Sequence, residues 1–184
     1  MLTDEKVIAQ TCHWVEEFIV GMNVCPFARR EVVRGTVRIV VVRSLDVSVA
    51  LEELMSEISW LDQHDETETT LVVYPALFKR FDDYLDFVDD AESLMAEQGC
   101  EGIYQLATFH PNYCFAGAED DDVANYTNRS PYPMLHVLRE SSLTDAIDRF
   151  GDTDRIPERN IQLMEETGVE VLKALLSRSM SAGE

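Results

Sequence analysis

Apolar residues recur three and four positions apart over several stretches of the chain, and in short continuous runs between them. Residues 4–22 carry Val7, Ile8, Cys12, Val15, Phe18, Ile19 and Met22 on one helical face, with Asp4 and Glu5 placed to complement the helix dipole. Pro26 disfavours the helical conformation at Cys25, so this helix ends between Gly21 and Val24. A β-branched run from Thr36 to Val42 suits the middle of a parallel sheet, and Val32 to Arg34 offers a short additional strand before it. Asp46 is positioned to cap a second helix reaching Leu61. Thr70 to Tyr74 reads as a strand closed by Pro75, and Phe81 to Met95 as a helix stopped by Gly99. Ile103 to Phe109 is a third strand.

Further on, Pro133 sits at a predicted first helical position, with Met134, Leu135 and Leu138 forming a short helix. Ser142 and Asp145 have capping-box spacing before a helix ending at Gly151. Pro157 opens the last helix, whose buried face takes Ile161, Met164, Val171, Leu172 and Leu175. The expectation is a single α/β domain over residues 1–184. Three or four mainly parallel strands form a βαβαβ arrangement, flanked by N- and C-terminal helices.

No period of two or of 3.6 organises residues 111–131. Phe109, Tyr113, Phe115, Tyr126 and Tyr132 distinguish this stretch from a disordered linker, which lacks aromatics. Residues 110–132 are therefore expected to form a long ordered functional loop after the third strand. In a parallel sheet, ligands collect beyond the carboxyl ends of the strands, where Arg43, Tyr74 and His110 share one rim.

Composition narrows the possibilities. The formal charge of −20 argues against binding to nucleic acid or to an anionic membrane surface. No apolar run approaches the ~20 residues that span a bilayer, and MLTDEK lacks the positive start of a signal peptide, so a cytoplasmic location is expected. Cys12, Cys25, Cys100 and Cys114 are then expected as reduced thiols. Arg29, Arg30, Arg34, Arg38 and Arg43 lie close together with Glu31 as their one acidic neighbour, which either attracts an anion or pairs with the protein's own carboxylates.

Three segments carry a resemblance: Asn23-Val-Cys-Pro-Phe-Ala, His110-Pro-Asn-Tyr-Cys-Phe-Ala-Gly, and Asn125-Tyr-Thr-Asn-Arg-Ser-Pro-Tyr-Pro-Met-Leu-His136. Together they resemble the motifs of an uncharacterised bacterial family known as a domain of unknown function. The resemblance covers nearly the whole chain and implies a bacterial cytoplasmic protein. It brings no activity, cofactor or catalytic residue with it.

From the residues themselves, three constellations follow. Cys25, His110, Cys114 and His136 combine the thiolate and imidazole ligands that zinc or iron prefers, although paired short spacings are absent. The same residues can instead form a nucleophilic thiol, Cys25 or Cys114, with His110 or His136 as base. Against both, Cys114 between two aromatics is a small buried hydrophobe, and Cys25-Pro-Phe a helix-ending turn. Asn128, Arg129 and Ser130, with Asn125 and Tyr126 nearby, would cradle an anion at the start of the helix opened by Pro133. The bland counterpart is capping by Ser130 with Arg129 held by Asp120, Asp121 or Asp122. The leading expectation is a small enzyme acting on a small anionic molecule at a His/Cys/Arg site after the third strand, with Arg43 and Arg129 as anion binders. The alternative is a noncatalytic metabolite- or peptide-binding or regulatory module.

Overall fold

The computed structural model describes residues 2–151 and 153–183. Helix α1 (Asp4–Trp14) runs on into a π-helical segment (Val15–Val20), followed by α2 (Ala28–Arg34). The Gly21 N–H donates to the carbonyl of Glu16 at 2.9 Å, the wide i to i−5 pairing of a π turn. A Cβ at Gly21 would run into the carbonyl oxygen of Glu17. The chain then turns through Asn23, whose φ is 57°, a left-handed conformation that asparagine tolerates. Val32–Arg34, offered above as a strand, closes α2 instead.

Strand β1 (Val37–Val41), helix α3 (Val47–Asp62) and strand β2 (Thr69–Val73) form a βαβ unit, with β1 and β2 paired in parallel. The Asp46 carboxylate accepts the Ser48 N–H at 2.8 Å, the expected cap of α3. Helix α4 (Phe81–Glu97) leads to strand β3 (Tyr104–Phe109). The next element differs from expectation: Met134–Arg139 is strand β4, not a helix. It lies between β2 and β3 and is antiparallel to both, giving the order β1-β2-β4-β3. The sheet is therefore mixed, with four strands, and β3 shares the direction of β1 and β2 without touching either.

The reason is burial on both faces. Leu135 and Val137 enter the core under α3 and α4, with Leu54, Leu61, Phe87 and Ala91. Met134 enters the opposite core, with Trp14, Phe18, Leu71, Met164 and Leu172. An apolar run buried on two sides shows neither a strand's alternation nor a helix's stripe, and periodicity alone cannot assign it.

Helix α5 (Glu140–Phe150) follows β4 directly, so its start precedes Ser142 and the capping box does not form. Helix α6 (Ile156–Thr167) has Pro157 in its first turn, and α7 (Val169–Ser181) completes the fold. Between them Gly168 adopts φ 79° and ψ 149°, which breaks the expected single helix. The break resets the helical phase, and Ile161 (43% exposed) and Val171 (52%) face solvent while Met164 and Leu172 are buried. Among the described residues no helix is long and apolar enough to cross a membrane.

Candidate functional site

Because β3 and β4 are antiparallel neighbours, residues 110–133 are the connection between two adjacent strand ends, anchored where Phe109 pairs with Met134. The loop turns through irregular backbone and a short 3-10 helix (Val123–Asn128). Its polar side chains hold the loop together. The buried Asn125 accepts the Phe115 N–H at 2.9 Å and donates to the Glu119 carbonyl at 2.9 Å. Asn128 donates to the Thr108 carbonyl at 3.0 Å, and its own carbonyl accepts the His110 N–H at 3.2 Å. Arg129 donates to the Tyr113 and Asp120 carbonyls at 3.2 and 2.7 Å while its guanidinium lies 4.6 Å above the Tyr126 ring. The buried Ser130 donates to the Tyr132 carbonyl at 2.6 Å. Tyr126 itself is buried in the core beside Met164.

Since β4 replaces the expected helix, no helix N-terminus opens at Asn128–Ser130, and the cradle of free N–H groups does not form there. Arg129 is held by the main-chain oxygen of Asp120, not by the neighbouring carboxylates. Arg43 pairs with Asp4 at 2.5 Å.

His110 is 1% exposed. Its Nε2–H donates to the Phe78 carbonyl at 2.7 Å and its Nδ1 accepts the Asn112 N–H at 3.0 Å, so both ring nitrogens are engaged. Burial lowers its pKa, opposed by the Phe78 carbonyl. Phe78 carries φ 57°, an outlier for a bulky residue, and the imidazole holds its carbonyl in that strained turn. The histidine thus locks the β2–α4 connection to the loop, between the rings of Phe81 and Tyr84, each 5.2 Å away.

His136 lies on β4, its ring 6.4 Å from that of Phe109 and on the side of the sheet away from His110's aromatic neighbours. Its Nε2 is 2.7 Å from Thr69 Oγ1, which donates in turn to the Val137 carbonyl at 2.5 Å. Burial depresses its pKa to about 4. Cys114, partly buried, has its Sγ 3.5 Å from the Ala118 carbonyl. Cys25 packs against the second core. Among the described residues no three His, Cys, Asp or Glu side chains come together as a metal-ligand set. Cys25, His110, Cys114 and His136 accordingly do not form a metal-ligand set.

Sequence reasoning missed Arg159 and Asn160 on α6. Arg159 donates to the carbonyls of Asn23 and Val24, and Asn160 adds a bond to Val24 at 2.9 Å. They tie the Asn23-Val-Cys-Pro turn to α6, which also packs on the 3-10 helix of the loop. A cleft of about 280 Å3 opens beside this junction, lined by Met22, Asn23, Arg159 and Glu166 among others. The available signal was Asn160 at i−4 from the buried Met164, a polar residue on the packed side of a helix.

The loop's rigidity has a direct test. Asn125→Ala removes both the acceptor and the donor that close residues 115–125, and it should cost about 1–3 kcal/mol. Amide exchange at Phe115 should accelerate in step, and an unchanged Phe115 amide would show that Asn125 does not organise the loop.

A mixed four-stranded α/β sheet with a core on each face, and a long self-braced connection between β3 and β4, defines the class of protein. The chain belongs to the family described as "Protein of unknown function (DUF1415)", whose model matches residues 6–174. No curated protein and no solved structure matches the chain.

Proposed function

We propose that the protein is a noncatalytic binding module that presents residues 110–132 as a fixed surface to a protein partner. The observation that carries this reading is where the loop's chemistry-bearing groups are spent. Both nitrogens of His110, the amide of Asn125 and the guanidinium of Arg129 bond to the protein's own main chain. Such a network specifies shape, and it occupies the imidazole and guanidinium groups that a reactive site after the third strand would use. What the loop does turn to solvent is Phe115, 38% exposed, with the carboxylates of Glu119, Asp120, Asp121 and Asp122. An exposed aromatic beside charge that steers encounter is the composition of a recognition surface, and it favours a positively charged partner over a small anion.

The test is to replace Phe115 by p-benzoylphenylalanine and irradiate cells expressing the full chain. A discrete covalent adduct that disappears when Asn125→Ala unmakes the loop is the expected result. Absence of any adduct, or an adduct indifferent to Asn125→Ala, overturns the reading.

A further inference from the structure

The strand order leaves β3 at one edge of the sheet, with β4 as its one strand neighbour among the described residues. The Glu140 N–H donates to the Ile103 carbonyl at 2.9 Å, so the odd-numbered residues of this antiparallel pair turn their peptide groups toward β4 and the even-numbered ones turn outward. Two outward groups are occupied: the Tyr104 N–H donates to Cys100 and the Thr108 carbonyl accepts from Asn128. Between them the Leu106 N–H and carbonyl and the Thr108 N–H have no hydrogen-bond partner among the described residues.

Edge strands are ordinarily blunted by lysine, proline or a bulge. The sequence here, Tyr104-Gln-Leu-Ala-Thr-Phe109, has neither residue, and its register with β4 is unbroken over all six positions. The opposite edge is different: β1 carries Arg38, clamped to Glu57 at 2.8 Å and stacked on Trp60, and is packed by α1.

Alongside the open edge runs a groove of about 500 Å3 between β3, α4 and the start of α5. Met95, Ala96 and Leu106 give it an apolar floor. Glu92, Glu101 and Glu140 stand around it, with no basic residue in the lining.

We propose that this edge accepts an extended, lysine- or arginine-bearing polypeptide segment as a fifth strand, its main chain bonded to Leu106 and Thr108 and its cationic side chains set against the three glutamates. Main-chain bonds would supply affinity and the groove would supply choice of side chain, as in other strand additions. Charge argues against a second copy of the chain in this place. Self-pairing would set the glutamates of one copy against those of the other, in a protein of net charge −20. The proposal rests on the strand edge and the three glutamates and uses no part of Phe115, so it stands or falls independently of the reading above.

The probe is an acetylated octapeptide alternating lysine and valine, titrated into the full-length protein by fluorescence anisotropy, with amide exchange followed at the edge. Binding should slow exchange at Leu106 and Thr108 and leave Phe115 unchanged. The variant combining Glu92→Gln, Glu101→Gln and Glu140→Gln should weaken it about tenfold or more. Methylation of alternate peptide nitrogens should abolish it, and Phe115→Ala should leave it intact. The proposal is overturned by binding without protection at Leu106 and Thr108, by equal binding of the glutamate-valine octapeptide, or by sedimentation showing the chain dimerised through this edge.

Discussion

Tyr84→Phe should lower the free energy of unfolding by about 2–3 kcal/mol, a large loss for the removal of one oxygen. The Tyr84 hydroxyl donates to the Met134 carbonyl at 2.7 Å and accepts the Phe109 N–H at 3.1 Å. It is inserted in the last rung of the β3–β4 ladder, where these two groups would otherwise meet each other. The side chain is fully buried, so phenylalanine would leave a carbonyl and an N–H desolvated and unpaired. Urea unfolding of the two proteins measures the difference. A change below about 0.5 kcal/mol would mean that the strand ends close on themselves once the hydroxyl is gone. The same substitution frees the anchor of residues 110–133, so amide exchange in the loop should rise with it. Burial also pushes the Tyr84 phenol well above the ordinary tyrosine range, which keeps it a donor at any pH where the protein is folded.

Acidification should destabilise the protein well before its carboxylates titrate. His136 has a pKa of about 4 in the folded chain against an ordinary value of 6.5. Below pH 6.5 the unfolded chain binds a proton that the folded chain refuses, so stability falls as pH drops toward 4. His110, its pKa also lowered by burial, acts in the same direction. Above pH 7 neither contributes any further dependence. The loss from His136 alone should reach about 2–3 kcal/mol by pH 4, at about 1.4 kcal/mol for each pKa unit. Chemical unfolding at intervals between pH 7.5 and 5 isolates the histidines from Asp and Glu, which titrate lower. The His136→Gln variant should show a markedly flatter curve over that interval. An identical slope in the variant would mean that His136 is solvated or charged in the folded state.

Both predictions concern contacts that join residues far apart in the chain, and such contacts set the limit of what the sequence disclosed. Helices α1, α3 and α4 were legible because each buries one stripe and exposes the rest. Asp46 could be recognised as a cap because its partner is Ser48, two residues away. Strands β1, β2 and β3 were legible from β-branched composition and length. Strand β4 was not, since Met134 to Val137 feed two cores at once and the two prolines before it imitate a helix start.

The loop's aromatics were visible in the sequence, yet the roles of its polar residues were not readable. His110, Asn125 and Arg129 have the composition of a reactive site. Their partners are carbonyls and N–H groups at Phe78, Phe115, Tyr113 and Asp120, and every residue type offers those.

Sequence by itself determined which segments bury a stripe and where β-branched runs stiffen into strands. These are local properties, written in spacing and composition. Tertiary structure alone decided that β4 inserts antiparallel between β2 and β3, that β3 is left with an open edge, and that the imidazole of His110 meets the strained Phe78 carbonyl. Strand order and hydrogen-bond partners depend on which distant segments meet when two faces of one sheet are covered together, and no window along the chain contains both halves of such a contact.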